Sequence, residues 1–310
     1  MKRRNTPDNH TPQLGIARAM VLRLIAISSF LSLLFLQSCA VNPASGSPEF
    51  VVISEKKEKE LGLEAHEKMI ASVDLYQDED LQIYVENVGN AVAAVSHRPD
   101  LSYTFTLIDS PEVNAMAAPG GYVYINRGLL ALMNSEAELA AVIGHEIGHI
   151  TARHYVQRRS RDKALRTAAM AGGYVASAAT GNGYIGSQIM DIVSVLGETA
   201  ISGYGREQEL EADSLGAEYI LKAGYNPDAV VSMLTQLKNN QDFTRKISGD
   251  SGGYHGLFST HPRSDKRLQK GIAEVARTGE SAPSKLDDTE FRSVLDGLVV
   301  GQSNQSLRTD

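Results

Sequence analysis

The sequence predicts an α+β fold that is mainly helical, with a small β-sheet or hairpin beside one central helix. Apolar residues recur at helical spacing in several segments, among them residues 54–72, 78–95 and 135–158. The run SYTFTLI, residues 102–108, alternates polar and apolar positions as a half-buried strand does. Residues 119–121, Pro-Gly-Gly, form a turn signal, and YVYIN after them has the composition of a strand. We therefore expect a hairpin directly before the central helix.

The central helix is expected to begin at Ser135, because Glu138 stands at the spacing of a capping box and would satisfy orphaned backbone donors. Between residues 168 and 203 the chain is rich in Ala, Gly and Ser, and its apolar pieces are too short to cross a bilayer. We interpret this segment as two packed helices or as a flap that moves. Further helices are expected over residues 204–222, from Pro227 onward and up to about residue 278.

The first 39 residues have the pattern of a signal peptide. Basic side chains precede an apolar run of thirteen residues, 24–36. A helix of that length spans roughly 20 Å, which is too short for a bilayer but typical of a secretory signal. Cys39 follows in LQSC, which resembles the lipobox of bacterial lipoproteins, although Gln37 replaces the usual small residue. This resemblance implies acylation of Cys39 and, because Ala40 rather than aspartate comes next, an anchor in the outer membrane.

The remaining chain is divided into a tether (residues 40–51), a large folded domain (residues 52–278) and a polar tail (residues 279–310). Residues 1–39 hold five basic residues and one acidic residue, so their removal takes the net charge from −7 to −11. A chain of that charge repels nucleic acid, and nucleic-acid binding is not expected. Cys39 is the only cysteine, which excludes an internal disulfide and a cysteine metal ligand in the folded domain.

The central helix carries the motif HEIGH, in which His145 and His149 are four residues apart. Side chains at that spacing share one helix face, about 5–6 Å apart, and two imidazoles there can bind one tetrahedral zinc ion. Glu146 points about 100° round the helix from His145. It can therefore take a proton from water at the metal without becoming a ligand. The motif predicts a zinc protease with one zinc ion per chain, and a chance match on an ordinary amphipathic helix is the alternative.

The residues around the motif exclude two other kinds of zinc enzyme. A metzincin needs a glycine and a histidine where this chain has Ala152 and Tyr155. A peptide deformylase needs a cysteine ligand. His154 lies five residues after His149, so we expect it to point away from the metal and to act as a cation near the C-terminal end of the helix.

A third ligand must come from another segment, and REQELEAD, residues 206–213, offers carboxylates. Glu209 and Asp213 are four residues apart and share a helix face, whereas Glu207 and Glu211 turn away from it. An acidic run of this kind is normally a solvated helix surface. Beside HEIGH, it can supply one carboxylate ligand and a second carboxylate that orients a ligating imidazole.

GHEIGHITARH followed some sixty residues later by ExxxD resembles the family of the CAAX prenyl proteases, the heat-shock protease HtpX and the mitochondrial Oma proteases. Within it, the chain is similar to the bacterial outer-membrane lipoprotein branch that contains BepA and LoiP. The resemblance covers about residues 52–275 and implies a zincin fold of the gluzincin type. It also implies that the zinc ligands are His145, His149 and Glu209 and that Glu146 is the general base. Asp213 would be the orienting carboxylate, and His261 with Arg267 would stabilise the oxyanion.

The same resemblance implies a substrate site and a cellular role. An edge strand would pair with the extended backbone of a substrate, and its residues are Asn114, Ala115, Met116 and Ala117. Unfolded or misassembled envelope proteins are the expected substrates, at the periplasmic face of the outer membrane. A different class of function remains open: a zinc-binding lipoprotein that escorts clients, its zinc closed by His261 as a fourth ligand. In a mixed case, His261 latches the zinc at rest and moves aside for substrate.

Overall fold

The computed structural model describes residues 39–180, 205–248, 261, 265–278 and 288–299. Its helices are α1 (Glu55–Ser72), α2 (Glu79–Ala93), α3 (Arg127–Leu130), α4 (Glu136–Thr151), α5 (His154–Thr180), α6 (Arg206–Lys222), α7 (Asp228–Ser248), α8 (Asp265–Thr278) and α9 (Asp288–Val294). Its strands are β1 (Cys39–Val41), β2 (Pro48–Phe50), β3 (Thr104–Ile108), β4 (Ala115–Ala118) and β5 (Tyr122–Asn126). The prediction of a mainly helical α+β fold with a small sheet is confirmed.

The main sheet has three strands in the order β3-β5-β4. β4 and β5 form the expected antiparallel hairpin, with Met116 opposite Tyr124, and β3 runs parallel to β5. Gly120 and Gly121 in the turn have φ values of 86° and 109°, a region that favours glycine. The hairpin leads through α3 into the central helix, and α4 packs against β4 and β5.

The starts of three helices follow from their capping residues. Ser54, Asp78 and Ser135 each accept a hydrogen bond from a backbone N–H in the first turn of α1, α2 and α4, respectively. These side chains satisfy donors that have no partner within the helix. The expected boundaries at these three positions agree with the structure to within one residue.

Helix α4 is the centre of the domain, in contact with α2, α6 and α7 as well as the sheet. Every residue from Glu138 to Thr151 is buried, the motif residues included. A helix surrounded on all sides can place ionisable side chains where water is scarce, so their charges interact strongly.

The prediction of a single helix over residues 135–158 is wrong, because the helix is interrupted between α4 and α5. Arg153 adopts a φ of 58°, the one positive value at a non-glycine residue in the part of the chain described. Its side chain explains how this conformation is held: Arg153 Nε donates to Glu58 at 2.8 Å and Nη2 donates to the carbonyl of Ile53 at 3.0 Å. A buried carboxylate on α1 thus fixes a left-handed residue at the end of the motif helix.

Two segments expected outside the folded domain pack against it. Residues 40–51, expected as a tether, form the antiparallel hairpin β1–β2, and Asn42 within it is 1% exposed. The tail after residue 278 includes α9, whose buried Phe291 lies 6.2 Å from Tyr84, measured between ring centroids. One short helix with a buried phenylalanine therefore attaches the polar tail to the domain.

Two expectations lie outside the described residues: the signal peptide up to residue 38 and most of the Ala/Gly-rich segment 168–203. The part of segment 168–203 up to Thr180 belongs to helix α5. Among the described helices, none has the length and apolar content needed to cross a membrane.

Candidate metal centre and active site

Three parts of the chain bring potential metal ligands to one buried cluster. Helix α4 contributes His145 and His149, α6 contributes Glu209, and His261 lies in the chain before α8. All four side chains are buried, and their donor atoms lie within 4.8 Å of one another. The three residues expected as ligands are therefore together, and the residue expected to stabilise an oxyanion joins them.

The distances between these donor atoms fit a tetrahedral metal ion. Nε2 of His145 lies 3.0 Å from Nε2 of His149 and 3.1 Å from Nδ1 of His261. The carboxylate of Glu209 lies 3.6 Å from His145 Nε2, 3.4 Å from His149 Nε2 and 3.1 Å from His261 Nδ1. Ligands about 2.0–2.1 Å from a tetrahedral zinc are about 3.3 Å from each other. The residues present fit zinc, with His261 at the fourth position.

Glu146 stands beside this cluster without joining it. Its side chain is fully buried, and neither carboxylate oxygen has a hydrogen-bond partner within the described residues. The Nε2 of His261 is 3.4 Å from Glu146 Oε1. A buried carboxylate without a hydrogen bond is costly, and a water molecule bound to a metal in the cluster would supply the missing donor. This orphaned group is the observation that fits a metal best.

Asp213 and Arg267 form a layer behind the ligands. Asp213 Oδ1 lies 2.9 Å from Nδ1 of His145, the ring nitrogen on the side away from the donor cluster. Arg267 donates to both oxygens of Asp213 at 2.7 Å, and its Nη1 lies 2.8 Å from Glu209 Oε2. The expected oxyanion role of Arg267 does not match this placement, because its guanidinium is directed at two carboxylates. It holds one ligand and the partner of another.

Burial and neighbouring charges set the protonation of these groups. Burial lowers the pKa of His149 well below 6.5, so the imidazole is neutral, as a metal ligand must be. Burial raises the pKa of Glu209, but hydrogen bonds from His149 and His261 outweigh it and lower the pKa below 4.5. Burial also raises the pKa of Asp213, whereas the charge and hydrogen bonds of Arg267 lower it, to about 2. Both carboxylates are thus ionised at neutral pH.

The two ligand-bearing helices touch through their backbones. A Cβ added to Gly148 would lie 2.9 Å from the carbonyl oxygen of Ala212, and one added to Gly216 would lie 2.9 Å from the backbone nitrogen of His145. Real Cβ atoms do not come this close to a backbone, so only glycine fits. The glycine in HEIGH and the one after Asp213 therefore bring Glu209 within reach of the histidines. Sequence reasoning missed this use of the two glycines.

The expectation for His154 is wrong, because this residue faces the cluster. Its ring is fully buried, with Nδ1 2.8 Å from Nδ1 of His149 and Nε2 3.2 Å from Glu211. Glu211 was expected to turn away from the site and instead completes this contact. The signal in the sequence was hidden, because the placement of His154 depends on the left-handed Arg153 rather than on helical periodicity.

The expected substrate strand lies at an edge of the main sheet. Asn126 N donates to Asn114 O at 3.0 Å, so Asn114 faces β5. Backbone groups alternate in direction along an antiparallel strand. Those of Ala115 and Ala117 therefore point to the open side of β4, and those of Met116 point to β5.

The opposite edge of the sheet is covered. Gln82 on α2 donates from Nε2 to Phe105 O at 2.8 Å and accepts at Oε1 from Leu107 N at 3.0 Å. Tyr76 N also donates to Leu107 O, at 3.1 Å. An amide side chain thus takes the place of a neighbouring strand along β3. Within the described residues, no hydrogen bond occupies the outer backbone groups of Ala115 and Ala117, so β4 is the edge at which an added strand could pair.

A family model described as peptidase family M48 matches residues 79–273, a stretch that includes every residue of the cluster. The chain belongs to peptidase family M48. The resemblance inferred from HEIGH and ExxxD is therefore confirmed.

Three proteases are similar to the M48 chain over half of its length or more. It is 27% identical over 238 residues to the beta-barrel assembly-enhancing protease of Yersinia pestis. That alignment covers 73% of this chain and 45% of the relative. It is 28% identical over 234 residues to the mitochondrial metalloendopeptidase OMA1 of Schizosaccharomyces pombe, covering 74% and 64%. It is 29% identical over 159 residues to the metalloprotease LoiP of Escherichia coli, covering 51% and 57%. The chain thus spans less than two thirds of the length of each of these relatives.

Proposed function

We propose that this chain is a zinc-dependent endopeptidase of the bacterial envelope that hydrolyses peptide bonds in misfolded or unassembled proteins. The observation that carries the proposal is the cluster of four donor atoms at tetrahedral spacing with the orphaned carboxylate of Glu146 beside it. His145, His149 and Glu209 would hold the metal. When bound, zinc supplies a Lewis acid that polarises a peptide carbonyl and acidifies water.

The residues of the chain then handle the protons. Glu146, buried and free of hydrogen-bond partners in the described chain, takes a proton from the attacking water and delivers it to the leaving amine nitrogen. Asp213, 2.9 Å from Nδ1 of His145, would hold that ring with Nε2 turned toward the metal. Arg267 fixes Asp213 and Glu209 in place, and we give it a positioning role.

His261 would act as a latch at rest. Its Nδ1 stands at the fourth ligand position while its Nε2 faces Glu146, so the ring occupies the space that water and a carbonyl need. Once it has moved aside, the same imidazole would lie near the developing oxyanion and could donate to it. We thus propose both roles for His261, first as a latch at rest and then as a donor to the oxyanion.

The substrate would enter as an extended segment along β4. The outward backbone groups of Ala115 and Ala117 can pair with any unfolded chain, since main-chain pairing does not read side chains. Such recognition suits a protease that acts on proteins lacking their native fold. The names of the relatives, beta-barrel assembly-enhancing protease and LoiP, support envelope proteins as the substrates.

Acylation at Cys39 would anchor the domain at the periplasmic face of the outer membrane. The support is the LQSC sequence after a basic and apolar leader. Two or three acyl chains bind a bilayer stably without a spanning helix.

A second candidate is a zinc-binding escort without proteolysis. The position of His261 favours it, because a fourth protein ligand is typical of structural zinc. In that case the site would stay closed when an unfolded client binds.

Cleavage of casein by the full, zinc-loaded chain separates the two candidates. We expect cleavage by the wild type and a loss of about 10²- to 10⁴-fold in Glu146→Gln, with zinc content unchanged. Glu67→Gln, on the exposed face of α1, is the control and should cleave normally. If the wild type and His261→Ala both retain zinc but leave casein intact, the escort is the better description.

A further inference from the structure

His154 reaches the zinc-ligand candidate His149 across the break between α4 and α5. On a continuous helix a residue five positions on would lie roughly 140° round the axis. Here the Nδ1 atoms of the two rings are 2.8 Å apart, and the ring planes meet at 70°. The left-handed backbone of Arg153 makes this possible, and Glu58 holds Arg153.

The protons in this contact can be placed by elimination. If Nε2 of His149 binds a metal, its proton sits on Nδ1 and is donated to Nδ1 of His154. The proton of a neutral His154 then sits on Nε2, which lies 3.2 Å from Glu211 Oε2. The carboxyl group of Glu211 thus stands at the end of this pair.

The contacts continue into the N-terminal hairpin. Asn42 Nδ2 donates to Glu211 Oε1 at 2.9 Å and to Glu49 Oε1 at 2.7 Å. Gln157 Nε2 donates to the same oxygen of Glu49 at 2.7 Å and to Ala152 O at 2.7 Å. Every step has a donor facing an acceptor. The relay therefore joins His149 to a buried residue three positions after Cys39 and ties the hairpin to the helix break.

The two histidines of the motif thus reach their carboxylates by different routes. His145 lies directly against Asp213, at 2.9 Å. His149 reaches Glu211 through the ring of His154. Groups that accept the outer N–H of a ligating imidazole fix its orientation and raise its basicity.

We infer that His154 is a positioning residue for His149, and that the N-terminal hairpin, through Asn42 and Glu211, holds His154 in that role. This inference rests on the proposed metal site. It makes the hairpin next to Cys39 part of the support of the metal centre.

The first test is the zinc affinity of the full chain, measured by competition with a chromophoric chelator. His154→Leu removes both hydrogen bonds at similar volume, and we expect affinity to fall about 10- to 100-fold. His154→Gln keeps an acceptor and a donor and should recover most of that loss. His97→Leu removes another imidazole, whose Nδ1 lies 2.7 Å from the hydroxyl of Tyr219, and should leave zinc affinity unchanged.

The second test isolates the hairpin. Asn42→Asp keeps the acceptor for the backbone N–H groups of Ala44 and Ser45 but loses the donor and sets a third carboxylate against Glu49 and Glu211. We expect zinc affinity to fall roughly twofold to tenfold, as for one lost hydrogen bond. Ser45→Ala, exposed in the same hairpin, is the control.

Wild-type zinc affinity in both His154→Leu and Asn42→Asp would overturn the inference. If zinc affinity falls in His154→Leu but stays at the wild-type value in Asn42→Asp, the hairpin has no part in supporting His154. The thermal midpoint of the metal-free protein shows whether each variant is folded. If His154→Leu does not fold, the zinc affinity of Asn42→Asp decides the inference. Zinc affinity is read without substrate, so a failure of this inference is distinguishable from a failure of proteolysis in the casein assay.

Discussion

The Nε2 of His261 lies 3.4 Å from Oε1 of Glu146, while the other ring nitrogen of His261 lies 3.1 Å from Nε2 of His145. One imidazole thus spans the proposed base, Glu146, and the metal position. A site in this arrangement can hold a metal while it excludes substrate. The activity of the chain would then depend on how often His261 leaves.

Replacement of His261 by alanine is expected to raise casein cleavage. If the open form is a minor state of 10% or less, removing the latch raises the rate by about tenfold or more. Initial rates with zinc-loaded protein measure this, and His66→Ala, which removes an imidazole stacked on Tyr122, is the control. A large fall would instead make oxyanion stabilisation the dominant role, and an unchanged rate would discard both roles.

Gly148→Ala is expected to separate α4 from α6. The new Cβ would lie 2.9 Å from Ala212 O, and such overpacking costs about 1–3 kcal/mol. Zinc affinity should fall as well, because Glu209 moves with α6. Urea unfolding of the metal-free protein measures the first effect. Gly271→Ala is the matched control, since its Cβ would come no closer than 3.8 Å to its neighbours, and equal effects of the two changes would contradict the prediction.

Ala117→Pro is expected to weaken substrate binding while the sheet stays paired. Proline removes the N–H that points to the open side of β4, and the pairing of Met116 with Tyr124 is kept. Loss of one backbone hydrogen bond corresponds to roughly a twofold to tenfold fall in kcat/KM for casein. Ala117→Val changes the side chain but keeps the donor. A fall in Ala117→Val as large as in Ala117→Pro would show that the strand edge does not bind substrate.

Stability is expected to fall as the pH rises above about 10. Tyr84 and Tyr225 both donate to Glu136 at the start of α4, and burial, with the Glu136 charge, raises the pKa of each tyrosine. A pKa that is higher in the folded state means that the folded state binds more protons, so stability is fully present below the unfolded value of about 10 and is lost above it. Urea unfolding of metal-free protein at pH 8 and pH 10.5 measures the loss. The double variant Tyr84→Phe/Tyr225→Phe should lose less, and an equal loss would assign the effect to other groups.

Local geometry explains what could be predicted from the sequence. His145 and His149 share a face because four residues make about one helical turn, and Ser135 marks the start of that helix by its own side chain. Glu209 is distant in the sequence and was found through resemblance to a family. Its approach depends on Gly148 and Gly216, whose role shows only once two helices are in contact.

The position of His154 could not be predicted in this way. The periodicity of residues 135–158 favours one helix, and that pattern sends His154 to the far side. The structure ends the helix at Thr151 because Arg153 is held by Glu58, a residue almost a hundred positions earlier. A left-handed arginine stabilised by a tertiary contact has no local signature.

The burial of Asn42 in the N-terminal hairpin also limits how far the active site could stand from a membrane. If Cys39 carries acyl chains, only Ala40 and Val41 lie between it and Asn42, which is packed into the domain, and the three extended steps from Cys39 to Asn42 reach roughly 10 Å. With so short an anchor, the domain would stand at the height of the lipid headgroups. It would sample clients that emerge at the bilayer surface, and a protein diffusing through the open periplasm would have to come to it.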